Sequence, residues 1–368
     1  MDIMAIKVRA RRLSYMLIEK GLKYTVNFLW VGGIYNNDIV RDILLTKFYP
    51  WFVFYPRYFE LEITTRCDLR CTMCEHTYWN EKSQDLSFEQ FKMIVDQFPK
   101  LKWLGTTGIG SSFLNRDYLK MLEYAKEKGV YIELFDPCHR LDRNISERLV
   151  RDRLLDKLFI SLDAATKTTY ENIRVGADFD MVLANIKNLV EFKRKYKTSF
   201  PEIAFHYIIS KDNYTEVPKF VELVYNLTRR ENIGIMFTHI LHPFEEIKDK
   251  VFILPEDIKK EAVKIAKKSK IRLIWGKNAR DVKQNIEKCT EWTMPFIFSD
   301  GSVIPCCAGN EANRREFQVK YRLGNILEEP FEKIWNGPKF KTLRDLVHEG
   351  KVPIQCRDCP GYEVPDNK

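Results

Sequence analysis

Six short apolar stretches alternate with helical patterns along the chain and constrain its fold more than any other feature. The apolar stretches occupy residues 58–64, 102–108, 130–135, 157–162, 202–209 and 233–240. The helical patterns occupy residues 87–98, 116–128, 144–153, 178–196 and 215–229, and Ser87 is suited to cap the first of them. Strand, helix and strand in regular succession favour parallel pairing through right-handed crossovers. The alternation therefore predicts an α/β fold, a partial (β/α)6 TIM-like barrel.

Other segments flank the predicted barrel. A basic amphipathic segment, residues 1–57, precedes the barrel at 58–245, and a connecting helix and strand, residues 246–288, follow it. The last segment, residues 289–368, contains two β-runs around Asp300-Gly301, which is a strong hairpin signal, and then a helical stretch. We predict that this last segment forms a second, small domain.

The composition excludes several classes of protein. The nine cysteines are too unevenly spaced for a disulfide framework, and no apolar stretch followed by a cleavage site suggests secretion. We therefore expect a reducing, cytoplasmic compartment. No run of about 20 apolar residues could span a bilayer. The net charge of +9 permits an anionic substrate, nucleic acid or a membrane surface and selects none of them.

The first 24 residues carry six basic side chains and have apolar residues at helical spacing. One interpretation is an interfacial helix that contacts anionic lipid, which would place the protein at the periphery of a membrane. The other is an amphipathic helix that packs on the rest of the protein and leaves its charges in water. The sequence leaves both interpretations open.

Three cysteines follow the first predicted strand. Cys67, Cys71 and Cys74 have three and then two residues between them, and nothing nearby offers an obvious fourth ligand except His76. A structural zinc site normally closes with four ligands. A four-iron cluster with three cysteine ligands leaves one iron open for a substrate or cofactor. The spacing therefore favours a reactive cluster, at the strand ends where β/α barrels hold their chemistry.

The stretch TRCDLRCTMC resembles the CxxxCxxC loop of the radical S-adenosylmethionine superfamily, including the apolar Met73 before the last cysteine. The resemblance implies a [4Fe-4S] cluster on the three cysteines. It also implies an enzyme that cleaves S-adenosylmethionine reductively to a 5′-deoxyadenosyl radical, which abstracts a hydrogen atom from the substrate. Such chemistry needs a reductant such as flavodoxin or ferredoxin.

The resemblance extends to segments that bind the cofactor in this family. Gly108 and Gly110 occupy the glycine positions of the family's second-strand motif, whereas serines replace its glutamate and proline. Ser161 and Asp163 lie in a segment similar to the one that contacts the ribose; alternatively, they form a turn that caps the next helix. The residues that the resemblance implies for cofactor binding are Met73, Gly108, Gly110, Ser111, Ser161 and Asp163.

Polar residues near the ends of other predicted strands are weaker candidates. Asp136 and His139 follow the third strand, His206 lies on the fifth, and His239 and His242 end the sixth. A histidine at such a position is more often a structural residue than a proton donor, and radical chemistry needs little acid or base help.

A second pattern of cysteines lies in the C-terminal segment. The spacing from Cys289 through a glycine to Cys306, and the later pair Cys356 and Cys359, resemble the SPASM extension, which carries auxiliary iron–sulfur clusters. Longer versions of this extension have further cysteines and bind two clusters. The resemblance implies one auxiliary [4Fe-4S] cluster on these four residues, with Cys307 as the alternative to Cys306. A zinc ribbon is the alternative for the CxxC pair.

Together, the resemblances predict a radical enzyme whose auxiliary cluster assists an oxidation. Relatives that act on peptides frequently carry a folded recognition domain before the barrel, whereas residues 1–57 are basic and amphipathic. We therefore expect a small-molecule substrate, which could be sugar-like, nucleotide-linked or a lipid head group, with a peptide-modifying maturase as the alternative. A rival of another class is a non-catalytic zinc or iron–sulfur module that binds nucleic acid; we expect no nucleic-acid partner.

Overall fold

The computed structural model of the chain is a mostly parallel sheet flanked by helices. The residues that it describes are 13–14, 16–19, 21–30, 45, 47–51, 53–80, 82–229, 233–240, 244–276, 285–308 and 314–359.

Ten strands in the described residues form one sheet. In chain order they are β1 Tyr58–Leu61, β2 Trp103–Thr106, β3 Tyr131–Asp136, β4 Lys157–Ser161, β5 Glu202–Ile209, β6 Gly234–His239, β7 Arg272–Trp275, β8 Phe296–Ile297, β9 Ser302–Ile304 and β10 Gly324–Asn325. Their order across the sheet is β10-β9-β8-β1-β2-β3-β4-β5-β6-β7. All neighbours from β8 to β7 are parallel, whereas β9 and β10 are antiparallel to their neighbours.

The six strands predicted from the sequence are β1 to β6, and the predicted partial barrel is confirmed. Alternation within each strand separates the core from the interior of the barrel. In β1, Phe59 and Leu61 are fully buried in the main hydrophobic core, whereas Glu60 between them lines an interior cavity. Because the strands are parallel and in register, their carboxyl ends meet at one edge.

Eleven α-helices are fully described. They are α1 Leu22–Trp30, α2 Phe88–Asp96, α3 Tyr118–Glu127, α4 Arg143–Arg151, α5 Lys167–Ile173, α6 Phe179–Lys195, α7 Val217–Thr228, α8 Glu256–Ser269, α9 Arg315–Lys320, α10 Phe331–Asn336 and α11 Pro338–His348. The predicted Ser87 cap is confirmed as a capping box, in which Ser87 and Gln90 each accept the other's backbone N–H.

Two elements of the barrel differ from the sequence expectation. Helix α5 has no counterpart in it, because the segment is short and only Tyr170 and Ile173 are buried along it. Strand β7, which the sequence placed in the connecting segment, pairs in parallel with β6 and adds a seventh strand to the barrel sheet. The domain boundaries themselves stay a prediction.

The C-terminal segment continues the barrel sheet. The hairpin predicted at Asp300-Gly301 is present between β8 and β9, and Gly301 has a φ of +83°, which favours glycine. Strand β8 pairs in parallel with β1, with Glu60 opposite Phe296 and Leu61 opposite Ile297. The C-terminal segment is thereby held beside the first strand of the barrel.

Helix α1 contacts the amino ends of the strands. The ring of Phe28 lies 5.9 Å from that of Trp103, the first residue of β2, and 5.4 Å from that of Tyr131, the first residue of β3. Met16 is fully buried against Tyr131 and Phe200. Residues 1–12 of the predicted amphipathic segment lie outside the described residues.

A buried ion pair joins the barrel to the C-terminal segment. Glu62, directly after β1, accepts hydrogen bonds from both terminal nitrogens of Arg315 in α9, at 2.6 and 2.9 Å. Ser299 and the backbone N–H of Ile109 donate to the same carboxylate. The Arg315 guanidinium also lies 4.0 Å from the centre of the Phe298 ring. The side chains of the pair are 0% and 5% exposed, so removing either partner would leave a buried charge uncompensated.

We predict that Arg315→Met lowers the free energy of unfolding by about 3–5 kcal/mol, because Glu62 loses its counter-ion in the interior. Arg314→Met is the matched control and should change stability little, since Arg314 pairs with Glu246 at the surface. Denaturant titration of both variants measures the difference.

Adding Glu62→Gln to Arg315→Met should recover part of the lost stability, because the uncompensated carboxylate is then removed. Equal losses of stability in Arg315→Met and Arg314→Met would show that the buried pair does not join the two parts of the chain.

Candidate functional site

A cavity of about 1070 Å³ opens at the carboxyl ends of the barrel strands. Its walls include the loop after β1, the loop after β2, residues near the carboxyl ends of β3 to β6, and the C-terminal segment around α9. Aromatic side chains, including Phe135 and Phe296, and polar ones, including His206, share the lining. The cavity is therefore large enough for a cofactor and a substrate together.

The loop after β1 brings the three predicted cysteines to this cavity. Cys67, Cys71 and Cys74 all line it, as does Met73. Residues Arg70–Cys71 pair with Arg174–Val175 in a short antiparallel ribbon, in which Cys71 lies opposite Arg174. The backbone N–H of Cys74 donates to the carbonyl of Cys71 at 3.0 Å. These contacts fold the loop around one side of the cavity.

His76 does not supply a fourth ligand in this arrangement. The ring is buried and its Nε2 lies 2.9 Å from the carbonyl oxygen of Thr65, while Nδ1 lies 3.4 Å from the guanidinium of Arg70. His76 is not among the residues that line the cavity. The three thiols therefore face the cavity without it.

The surroundings of the three thiols fit a cluster rather than a single ion. Burial raises the pKa of Cys67 to about 11 and that of Cys74 to about 12, so that thiolates here need strong positive charge nearby. Among the described residues, no three His, Cys, Asp or Glu side chains gather closely enough for one metal ion. A four-iron cluster is wider than one ion and supplies the positive charge that buried thiolates require.

Arg174 is a further charged group at the cavity, and the sequence did not indicate it. Its Nη1 lies 3.8 Å from the sulfur of Cys71, and its Nε donates to the carboxylate of Asp163 at 2.8 Å. The other carboxylate oxygen of Asp163 accepts the backbone N–H of Ile208. Asp163 is fully buried and does not line the cavity. In this structure it holds Arg174 beside the cysteine loop, and a direct cofactor contact stays a prediction.

The loop after β2 approaches β1 too closely for side chains. A Cβ on Gly110 would lie 2.2 Å from the carbonyl oxygen of Thr64, and one on Gly108 would lie 2.5 Å from Cγ of Glu62. Both glycines and Ser111 line the cavity. The glycines are thus required by packing against the end of β1, in addition to any contact with a cofactor.

Ser111 has an unusual environment. Its side chain is 2% exposed, and its hydroxyl makes no hydrogen bond within the chain. A buried hydroxyl without a partner costs free energy, and this one belongs to a cavity-lining residue. Such a hydroxyl fits the polar part of a bound cofactor, as expected for the position where the family motif has its glutamate.

The other predicted residues divide between the cavity and its surroundings. Ser161, His206 and His239 line the cavity, whereas Asp136 and His139 do not; His242 lies outside the described residues. Burial lowers the pKa of His206 to about 4, and its Nε2 lies 2.8 Å from the hydroxyl of Thr238. His206 is therefore a neutral hydrogen-bonding group near neutral pH.

The C-terminal cysteines occupy two environments. Burial raises the pKa of Cys356, and electrostatic interaction with the thiols of Cys289 and Cys359 raises it further. Cys306 is buried and does not line the cavity, whereas Cys307 lines it and lies near Tyr58. Cys306 stays the predicted fourth auxiliary ligand, with Cys307 as the alternative.

Several cavity residues had no signal in the sequence. Arg174, Arg314, Arg315 and Arg357 all line the cavity and come from segments distant in sequence from the cysteine loop. Arginines are frequent in this chain, and only the ribbon and the packing of α9 bring these four to the site. Covariation between two positions, such as Glu62 and Arg315, could have indicated their contact, but a single sequence contains no covariation.

Two family models match the chain. The model of the radical SAM superfamily matches residues 61–224, and that of SPASM, an iron–sulfur cluster-binding domain, matches residues 289–360. In the described residues, no helix has the length and apolar character needed to cross a membrane.

Relatives and solved structures agree with these models. The chain is 27% identical over 323 residues to the tungsten-containing aldehyde ferredoxin oxidoreductase cofactor-modifying protein of Pyrococcus furiosus, covering 82% of this chain and 87% of the relative. It is 25% identical over 325 residues to the AdoMet-dependent heme synthase of Methanosarcina barkeri, covering 79% and 85%.

The fold resembles that of SuiB from Streptococcus suis in complex with S-adenosylmethionine, with a TM-score of 0.63 at 13% identity, over 85% of this chain and 77% of that one. The two matched segments line one cavity. We conclude that the chain is an enzyme of the radical S-adenosylmethionine superfamily, with a [4Fe-4S] cluster, S-adenosylmethionine as cofactor and a SPASM domain for auxiliary iron–sulfur clusters.

Proposed function

We propose that the enzyme cleaves S-adenosylmethionine in this cavity and uses the resulting radical to abstract a hydrogen atom from a small molecule, with oxidation assisted by one auxiliary [4Fe-4S] cluster. The observation that carries the proposal is the shared cavity. The cysteine loop, the Gly108–Ser111 loop and side chains of the SPASM domain line one space of about 1070 Å³. A substrate in that space would contact both the cysteine loop and the SPASM domain.

When bound, the cluster on Cys67, Cys71 and Cys74 supplies the electron that cleaves S-adenosylmethionine. The chain's own residues bind and orient. The glycines at 108 and 110 allow the backbone to approach β1 closely, and the buried Ser111 hydroxyl is available to a polar group of the cofactor. Arg174, fixed by Asp163, contacts the sulfur of Cys71 in the cysteine loop. Apolar side chains such as Phe135 and Phe296 form part of the wall around the reacting centre.

A small substrate is favoured over a peptide by the relatives that match over most of both chains. Their names describe a protein that modifies the cofactor of a tungsten enzyme and a synthase of heme. Within this class, a sugar-like, nucleotide-linked or lipid head-group substrate remains our proposal. The peptide alternative is supported by the SuiB structure with its precursor peptide, but that likeness, at 12% identity, concerns the fold.

The proposal includes the setting of the reaction. A reductant such as flavodoxin or ferredoxin would supply electrons in the reducing cytoplasm. The lipid contact expected for residues 1–24 also stays a prediction, because the first half of that segment lies outside the described residues.

The direct test of the reaction is the formation of 5′-deoxyadenosine from S-adenosylmethionine and dithionite under anaerobic conditions. We predict that the reconstituted enzyme forms it and that Cys71→Ala reduces formation to background, because a cluster ligand at the cavity is lost. Cys138→Ala is the matched control: Cys138 is fully buried outside the cavity and should not be needed. Product formation by Cys71→Ala at the level of Cys138→Ala would refute the assignment.

The auxiliary site gives a separate prediction. Two four-iron clusters correspond to about eight irons per chain after reconstitution. Cys306→Ala should lower the content to about four, because the auxiliary cluster loses a ligand, whereas Cys307→Ala should keep about eight. Iron analysis of matched preparations measures both. The reverse result would assign the ligand to Cys307 and place Cys306 in the core instead.

A further inference from the structure

Helix α1 presents an apolar face to the exterior. Leu22, Val26 and Leu29 recur at the spacing of one helix face and are 69%, 51% and 47% exposed. In the helical turn before α1, Ile18 is 79% exposed. Large apolar side chains grouped in this way are unusual on a protein surface that contacts only water.

The opposite side of the same segment is fixed to the barrel. Met16 is fully buried and Thr25 is 6% exposed, and Phe28 packs on the aromatic rings at the start of β2 and β3. The carboxylate of Glu19 accepts hydrogen bonds from the hydroxyls of Thr198 and Ser199 at 2.6 and 2.8 Å, just before β5. The orientation of the apolar face is therefore set by specific contacts at the amino ends of the strands.

The loops that lead into the strands at this end are basic. Between helix ends and strand starts, the exposed charged side chains described by the structure are Lys100, Lys128, Arg153, Lys197, Arg229 and Lys270, against Asp152 as the exposed acid. Lys128 pairs with Asp96 of α2 at 2.7 Å, so part of this charge is compensated. The end of the barrel that carries the apolar face is thus positively charged.

We propose that this end of the barrel docks on an anionic lipid bilayer. An exposed apolar helix face inserts at the boundary of head groups and acyl chains, and lysine and arginine side chains around it attract anionic head groups. Neither a second copy of this basic surface nor nucleic acid matches both features, because a second copy repeats the positive charge and nucleic acid offers no apolar surface to α1.

The proposed surface lies at the end of the barrel opposite the reaction cavity. The cavity opens at the carboxyl ends of the strands, whereas α1 and the basic loops lie at their amino ends. A docked enzyme therefore keeps its cavity open to the aqueous side, and docking does not require a lipid substrate. The surface is independent of the proposed reaction.

Flotation of the full-length protein with vesicles tests the proposal. The protein should float with vesicles of equal parts phosphatidylcholine and phosphatidylglycerol and not with phosphatidylcholine alone, and salt should weaken binding. Ile18→Glu with Leu22→Glu should lower vesicle partitioning by at least about tenfold. Met93→Glu with Met181→Glu adds the same charge on α2 and α6, at apolar side chains that are each 44% exposed, and should leave partitioning unchanged.

A second pair of variants isolates the charge. Lys100→Gln with Lys197→Gln should lower partitioning by roughly tenfold, whereas Lys260→Gln with Lys264→Gln on α8 should not. All these variants should form 5′-deoxyadenosine like the wild type. The proposal would be overturned if the protein did not float with the vesicles, or if the target and control pairs lost partitioning equally. A dimer in solution that the α1 variants dissociate would also overturn it and would assign the face to a second copy.

Discussion

The parallel pairing of β1 with β2 on one side and β8 on the other is the constraint on which the site depends. It places the carboxyl ends of the barrel strands and the start of the SPASM domain at one edge. The cysteine loop follows β1, the glycine loop follows β2, and α9 reaches the same edge through β9. A register shift of one residue in β1 would exchange Glu60 and Glu62 with Phe59 and Leu61 and put charges into the core.

Buried charge is the second organising feature, because two buried arginines at the cavity each have an acidic partner. Arg174 lies between Asp163 and Cys71, and Arg315 lies against Glu62. Both arginines couple a loop of the site to another part of the chain. These two buried charges at the carboxyl end of the barrel are therefore compensated within the chain, while the amino end carries exposed apolar and basic side chains. The two ends are suited to different tasks, chemistry at one and surface contact at the other.

Sequence reasoning predicted the six barrel strands because each is a short apolar run between strong helical patterns. It missed α5, whose buried face has only two residues, and it separated β7 from the barrel because a lysine-rich helix precedes that strand. The cysteine loop could be identified because its function requires a local spacing. Arg174 and the Glu62–Arg315 pair could not, because they depend on contacts between segments more than 100 residues apart. The glycines were found by resemblance, and the structure adds a packing reason for them.

The central claim is that three cysteines leave one iron of the cluster open to S-adenosylmethionine. The most direct measurement is the low-temperature EPR spectrum of the dithionite-reduced protein that carries Cys289→Ala, Cys356→Ala and Cys359→Ala, so that the auxiliary cluster does not contribute. Adding S-adenosylmethionine should change the spectrum, because the cofactor binds the open iron. A spectrum that is the same with and without S-adenosylmethionine would contradict it.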